Sequence, residues 1–337
     1  MKTAVVILNY NGRKLLEQFL PSVIRYTHDA EIIVADNASH DDSVTFLKSN
    51  YPQIRVIAMS ENHGFAGGYN IALQEIKAAN YVNYILLNSD VEVTENWLEP
   101  LIEVLDSNEN IAACQPKIKA YHNKTHFEHA GAGGGFIDKL GYPFCRGRIF
   151  GEVEVDKGQY DDILPIFWAS GACLAIKAAD FHEQNGFDAD FFAHMEEIDL
   201  CWRLKNSGKE IYYCGKSTVF HVGGGTLQTD NPRKTFLNFR NNLVMLIKNL
   251  PSNKLFTTLF LRMILDGVAA LQMTFSGKFW AIPTIAKSHF YLYARLKKLR
   301  IKRKLTQKKI THTHIHKEIY TKSIVWEHFV KKSTRRT

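Results

Sequence analysis

Apolar residues over the first 118 positions fall into short blocks separated by helical stripes. KTAVVILNY (2–10) is a near-continuous apolar run of buried-strand type. The next apolar residues, Leu15, Leu16, Phe19, Leu20, Val23 and Ile24, recur at three- and four-residue spacing and predict an amphipathic helix. The alternation then repeats. Strands are predicted at EIIVAD (31–36), IRVIAM (54–59), YVNYILLN (81–88) and IAACQPKI (111–118). Between them one helix opens at Asp41 and Asp42, one runs through Ala79, and one is capped by Thr94 and ends near Leu105. This order predicts an α/β protein with a mostly parallel sheet covered on both faces.

The regularity breaks at residue 119. Residues 119–162 hold GAGGG (131–135), Arg146 and Arg148, and read as a long loop-rich insert, of a length that serves a site or is disordered. A buried strand is expected over 163–176, followed by GFD (186–188), a helix over 198–207, a strand at EIYYC (210–214) and a glycine-rich turn at HVGGGT (221–226). From about 233 the pattern is helical and apolar. LFTTLFLRMILDGVAALQMTF (255–275) is long enough to span a bilayer, but Arg262 and Asp266 sit near its middle. Each would cost roughly 2.5–3.5 kcal/mol there, which favours a helix lying in the membrane interface or packed on the body. FWAIP (279–283) and YLYARLKKLRIKRK (291–304) continue a basic amphipathic theme. Three regions follow: a main domain over 1–245, an apolar and amphipathic helical region over 246–305, and a basic tail over 306–337.

Charge sharpens the last of these. The net +8 of the 337 residues divides into +14 over 287–337, with 16 Lys/Arg and 2 Asp/Glu, and −6 over the rest. A basic tail on an acidic body predicts contact with a polyanion, either a membrane surface or nucleic acid. Interleaved Leu, Ile and Tyr suit an anionic membrane surface better, and nucleic acid is the weaker partner. THTHIH (311–316) reads as a solvated polar stretch or a weak metal binder. Five scattered cysteines without a CxxC pair predict reduced, structural thiols in a cytoplasmic protein. The apolar run Ala4–Leu8 is too short for a signal peptide and is expected to be a strand.

Open parallel sheets bind ligands outside the carboxyl ends of their strands. Four polar motifs are predicted to lie there: NYNG (9–12), DNAS (36–39), NHGFAGGYN (62–70) and NSD (88–90), after strands one to four in order. Each alone has a structural reading as a cap or turn; together they predict a binding edge. Asp36 can accept the N–H of a pyrimidine base, and Tyr10 offers an aromatic face. Gly64, Gly67 and Gly68 would let backbone approach a diphosphate at a helix start. Asp90 is a hard oxygen ligand suited to Mg²⁺ or Mn²⁺. A dinucleotide-binding fold would need GxGxxG after the first strand, where this chain has NYNG.

Taken in order, VVILNYNG, DNAS, NHGFAGGYN, LLNSD, GAC, GFD, EEIDLCWR and HVGGGT resemble the inverting glycosyltransferases of family 2, over about residues 1–245 and nearest the rhamnosyltransferase-like branch. The resemblance implies a GT-A fold, a Rossmann-like sheet here followed by the helical, basic C-terminal extension. It implies sugar transfer from a dTDP-, UDP- or GDP-sugar to a glycan or lipid-linked acceptor in surface-polysaccharide synthesis. By position, Asn9, Tyr10, Asn11 and Asp36 would hold the nucleotide, and Asn62, Gly67, Asn70, Asn88 and Ser89 would line the donor site. Asn88-Ser89-Asp90 stands where the family has Asp-x-Asp, so Asp90 would carry the metal, with His221 reaching the metal or diphosphate or serving as a turn residue. Gly171 and Ala172 would shape the acceptor side, and Trp168 would stack on a sugar or sit in the core. In Glu196-Glu197-Ile198-Asp199-Leu200, Glu197 takes the position of the catalytic base and Glu196 borders the acceptor. Asp199 and Arg203, spaced i, i+4, would pair structurally. Arg146 or Arg148 would meet the leaving diphosphate or stay on the surface. The expected enzyme is peripheral on the inner membrane face. Its rivals are a nucleic-acid-binding protein that uses the tail and a catalytically silent relative.

Overall fold

The computed structural model describes residues 2–128, 132–223, 231–311 and 316–332. Gly131 of GAGGG, Gly224–Thr226 of the HVGGGT turn and residues 312–315 of THTHIH lie outside them. The chain starts β1 (Thr3–Asn9), α1 (Arg13–Tyr26), β2 (Ala30–Asp36), α2 (Ser43–Asn50), β3 (Arg55–Ala58), α3 (Gly64–Glu75) and β4 (Asn83–Asn88). These four strands lie in the spatial order β3-β2-β1-β4 and are all parallel. Side chains alternate across the sheet. Ala4, Val6, Ile33 and Ala35 pack under Ala66, Tyr69, Ala72 and Leu73 of α3. Val5, Ile7 and Val34 pack on the other face with Leu16, Leu20 and Val23 of α1. Burial on both faces is why these strands read as unbroken apolar runs.

Beyond β4 the sheet is mixed. β5 (Val91–Val93), α4 (Glu99–Asp106) and β6 (Ile111–Ala120) follow in sequence. Thr94 does not cap α4: its hydroxyl donates to Thr218 O at 2.8 Å, and the helix begins five residues later. Pairing of β5 with a later strand draws Thr94 away from the helix.

The insert predicted as loop contains a second small sheet, formed by β7 (Gly135–Asp138), β8 (Pro143–Cys145), β9 (Arg148–Ile149) and β10 (Glu152–Val153). The strand expected over 163–176 divides into β11 (Ile163–Ile166) and β12 (Cys173–Lys177). Residues between them turn inward, where Trp168 N and Phe167 N both donate to Gly135 O. After α5 (Ala178–Glu183) and α6 (Glu196–Asn206), the long β13 (Glu210–His221) runs parallel to β6. β12 inserts antiparallel between β4 and β6.

Four helices follow: α7 (Pro232–Asn249), α8 (Ser252–Phe275), α9 (Ala281–Ala294) and α10 (Leu296–Lys308). The basic helix α10 is partly tied down. Lys298 pairs with Asp190 at 2.6 Å, Lys302 with both Asp188 and Asp190, and Arg303 donates to the carbonyls of Ile247 and Leu250. The tail returns to the body as well. β14 (Ile319–Tyr320) adds a parallel strand to β7, and Ile324 N, opening α11 (Ile324–Phe329), donates to Asp138 at 3.0 Å.

Candidate active site

The motifs after β1 and β2 meet in one turn. Asn9 Nδ2 donates to Asp36 Oδ2 at 2.9 Å, Ser39 Oγ donates to the same oxygen at 2.7 Å, and Ser39 N donates to Asp36 Oδ1 at 2.9 Å. Asn11, at φ 51°, donates its N–H to Ser39 Oγ and accepts from His40 N at 2.7 Å. Asp36 is 2% exposed and spends three of its about four acceptor sites on this turn. The aromatic surface here is Tyr10 with His40 edge-on, ring centroids 6.4 Å apart. His40 and Ser39 were not predicted for the site, although Ser39 stands in the DNAS motif itself.

After β3, Asn62 Oδ1 accepts from Gly64 N at 2.8 Å and from Asn37 Nδ2 at 3.1 Å. The glycines of α3 bring protein close, where a diphosphate was expected. Gly64 has φ +70°, and a Cβ there would lie 2.5 Å from Phe192 O; at Gly68 one would lie 2.9 Å from Leu8. Gly67 packs against His63. Ala66 N donates to Phe192 O at 3.2 Å, joining the start of α3 to the segment before α6. Asn70 likewise serves the fold, exchanging two hydrogen bonds with the backbone of Phe187 at 2.8 and 2.9 Å.

After β4, Asn88, Asp90 and His221 come together. His221 Nε2 lies 3.2 Å from Asp90 Oδ1 and 3.4 Å from Asn88 Nδ2, and its Nδ1 lies 3.2 Å from Glu128 Oε2. Glu128 had no signal in sequence, because the insert that carries it shows no regular period. All three charged groups are buried. Burial works against the imidazolium, but its N–H groups donate to the two carboxylates, which lift His221 to about 10. Burial pushes Asp90 up and His221 more than offsets it, so its net shift is down. Among the described residues no group of three His, Cys, Asp or Glu converges into a complete metal cage. His221 is held as an imidazolium between the Asp90 and Glu128 carboxylates. Ser89 Oγ faces Gly12, and Asn88 N donates to Ala172 O at 3.0 Å, linking this corner to Gly171 and Ala172.

Two predicted roles are corrected. Trp168 is no stacking platform: it is 6% exposed, its ring lies on Gly135 and its Nε1 donates to Phe136 O at 2.9 Å. Arg146 is no mobile cation. Its guanidinium bonds both oxygens of Asp162 at 2.8 and 2.9 Å and lies over Tyr160 and Tyr213. Arg148 Nε donates to Phe150 O at 2.8 Å.

Three acids at the start of α6 are driven apart in character by their partners. Asp199, fully buried, accepts from Arg203 Nε and Lys248 Nζ at 2.8 Å and from Asn249 Nδ2 at 2.9 Å. Burial pushes it up, Lys248 and Arg203 outweigh that, and it remains ionised. Glu196 has no such cations. Burial and then the neighbouring Glu197 charge hold it protonated well above the usual carboxyl range. Burial raises Glu197 to about 7 against the pull of the backbone amides of Glu197, Ile198 and Met195. Each glutamate keeps one buried carboxyl oxygen without a hydrogen-bond partner among the described residues.

The comparisons with known proteins agree with this architecture. Residues 4–156 match the model of glycosyl transferase family 2. The rhamnosyltransferase WbbL of Escherichia coli K12 is 37% identical over 227 residues, 64% of this chain and 82% of the relative. An N-acetylglucosaminyl-diphospho-decaprenol L-rhamnosyltransferase of Mycobacterium tuberculosis is 24% identical, over 64% of this chain and 75% of the relative. A mannosyltransferase of Pyrobaculum calidifontis, solved with GDP-Man and Mn²⁺, superposes with a TM-score of 0.51 at 13% identity, over 98% of this chain and 88% of that one. The sheet with its C-terminal helices is a GT-A fold. The chain belongs to glycosyl transferase family 2, and it is a glycosyltransferase of the rhamnosyltransferase-like kind.

The two kinds of acid predict opposite stability effects. Asp199→Ala strands Arg203 and Lys248 and is expected to cost about 3–5 kcal/mol in chemical denaturation. Glu197 binds its proton more tightly folded than unfolded, so its carboxylate lowers stability progressively from the ordinary carboxyl range up to about pH 7. Glu197→Gln is therefore expected to match the parent at pH 4 and exceed it at pH 8; a loss at pH 8 contradicts this.

Proposed function

We propose that the enzyme transfers a sugar from a nucleoside-diphosphate donor (dTDP, UDP or GDP) to a hydroxyl of a glycan or lipid-linked acceptor, with inversion at the anomeric carbon. The observation that carries this reading is Glu197, a half-buried carboxylate raised to about 7 with one buried oxygen unpartnered, at the start of a helix joined to the donor edge through Phe192. Glu197 accepts the acceptor hydroxyl proton as that oxygen forms its bond to the anomeric carbon and the bond to the diphosphate breaks. A base with this pKa is half-ionised at neutral pH, whereas an ordinary carboxylate would be a weaker acceptor. Glu196, held protonated, presents a donor to a sugar oxygen. Tyr10 and Asp36 hold the base end of the nucleotide. Asp90, with His221 once the arriving cation displaces its proton, would hold a divalent cation, Mg²⁺ or Mn²⁺, which would neutralise charge on the departing diphosphate. The superposed mannosyltransferase was solved with GDP-Man and Mn²⁺, which supports a nucleotide-sugar donor and a divalent cation.

The acceptor reading extends to the membrane. α8 is inverted relative to a soluble helix: its buried face carries Thr258, Arg262, Asp266 and Ala270, while Phe256, Phe260, Ile264, Val268, Leu271 and Phe275 stand exposed on the opposite face. The polar face is bound to the body. Arg262 lies 3.4 Å over the Tyr142 ring and 3.8 Å from Asp266, which also meets His289 at 3.2 Å. α8 is also long and apolar enough to cross a membrane by length and composition. Bound in this way, however, it lies along the surface with its apolar stripe outward, continued by Ile282, Phe290 and Tyr293 of α9. Lys287 of α9, Arg295 after it, and Lys297 and Arg300 of α10 are exposed, and each basic residue adds about 1 kcal/mol beside anionic lipid. We therefore assign the enzyme to the cytoplasmic face of the membrane, as a peripheral protein meeting an anionic surface. The diphospho-decaprenol in the mycobacterial relative's name supports a lipid-linked acceptor. Engagement of Lys298, Lys302 and Arg303 within the fold argues against nucleic acid as the partner.

Four outcomes test the reading. A panel of UDP-, dTDP- and GDP-sugars with Mn²⁺ should yield one donor that binds and is turned over; binding of none contradicts it. With that donor, kcat should rise with pH through an acid limb near 7. Glu197→Gln should lower kcat at least a thousand-fold with donor affinity retained, and parental activity in that variant removes Glu197 as base. The protein should co-sediment with anionic vesicles more than with zwitterionic ones, and Phe256→Asp with Phe275→Asp should abolish this while keeping donor hydrolysis; unchanged sedimentation would exclude the α8 face.

A further inference from the structure

The segment that delivers Glu197 is held in an unfavourable conformation. Phe192, His194 and Met195 have φ of 65°, 71° and 73°, a region that residues with a Cβ rarely adopt. Met195 immediately precedes α6. Such backbone persists where its surroundings over-determine it. Here the surroundings are two adjacent residues of α7.

Asn241 is 1% exposed, and the two hydrogens of its Nδ2 are shared among the carbonyls of Phe191, Ala193 and His194 at 3.0, 2.9 and 2.7 Å. Its Oδ1 accepts from Arg240 Nε at 2.7 Å, which fixes the amide with its nitrogen toward the segment. Arg240 also donates to Asp190 O and Phe191 O at 3.0 and 2.8 Å, with its guanidinium between the rings of Phe236 and Tyr291. The two remaining carbonyls are taken by other elements: Phe192 O by Ala66 N, and Met195 O by Asp199 N at 2.9 Å. Six consecutive carbonyls are thereby turned to α7, α3 or the body of α6. Glu197 is the second residue of α6, two positions after Met195, so the conformation of this segment sets where its carboxyl stands.

We infer that Arg240 and Asn241 are positioning residues for the proton-transfer step, a clamp that keeps the left-handed segment wound so that the Glu197 carboxyl stands at the attacking hydroxyl. This rests on the reading of Glu197 as base. Both residues are buried and spend their donors on the protein's own carbonyls and on each other. Their effect is geometric, and a displacement of about 1 Å at a reacting group can cost a hundred-fold in rate. A clamp that served the fold alone would lower stability and leave the chemistry of the folded fraction unchanged.

Asn241→Ala removes the donors to Phe191, Ala193 and His194, and Arg240→Lys removes the bond that orients Asn241 at smaller cost to the fold. In the full-length protein, with the donor that the panel selects and water or acceptor as nucleophile, both variants are expected to lose ten- to hundred-fold in kcat with donor affinity within two-fold. The acid limb of the pH–rate profile should move away from 7. In the Glu197→Gln background, Asn241→Ala should cost nothing further. Unchanged kcat and pH profile in folded Arg240→Lys or Asn241→Ala overturns the inference, as does an equal loss in the Glu197→Gln background. Parental activity in Glu197→Gln alone defeats the base assignment instead, so the two failures are separable.

Discussion

Asp199 accepts hydrogen bonds from Arg203 on its own helix and from Lys248 and Asn249 on α7. Arg203 continues to the carbonyls of Gln184 and Gly186, and Lys248 continues to Asp188, which Lys302 of α10 also meets. One fully buried carboxylate thus joins α6, α7, α10 and the turn that follows α5. The arrangement is stable because each charge has an opposite partner and its remaining hydrogen-bonding groups are satisfied. Arg203, Lys248 and Lys302 are committed to Asp199 and Asp188, and burial governs Glu196 and Glu197. Their raised pKa values follow from that allocation: the same burial that Asp199 survives by pairing leaves its neighbours to desolvation.

The donor edge is built on different physics. Four parallel strands, buried on both faces, end together, and each is followed by a short polar motif whose side chains bond mainly to one another. Asn9, Asp36 and Ser39 close one corner, Asn37 and Asn62 the next, and Asp90 with His221 the third. These bonds preorganise the edge before any ligand arrives. The Ala66–Phe192 bond carries that order across to the acid helix.

Much of this was legible in the chain because it repeats. Strand periodicity located β1 to β4 and therefore the edge, and the i, i+4 spacing of Asp199 and Arg203 foretold their pair. What was not legible depends on contacts between distant residues. Trp168 lies in the core because Gly135, 33 positions earlier, leaves room for its ring. Arg146 is immobilised by Asp162 and two tyrosines that no short-range pattern connects to it. The glycines of α3 were legible as close approaches, but not that the partner would be Phe192 and Leu8. The Arg240–Asn241 pair reads in sequence as an ordinary polar stretch of a helix. The charges in α8 weighed against a simple span, but only the fold reveals that they face inward and leave the aromatic stripe outside.

The central claim is that partner allocation gives the three acids of α6 three protonation behaviours. The most direct test is ¹³C-detected titration of side-chain carboxyls in the folded protein, with Glu196→Gln, Glu197→Gln and Asp199→Asn for assignment. The account predicts Asp199 ionised throughout the folded range, Glu197 titrating near 7 and Glu196 protonated at higher pH still. Both glutamates titrating in the ordinary range of about 4–5 would contradict it.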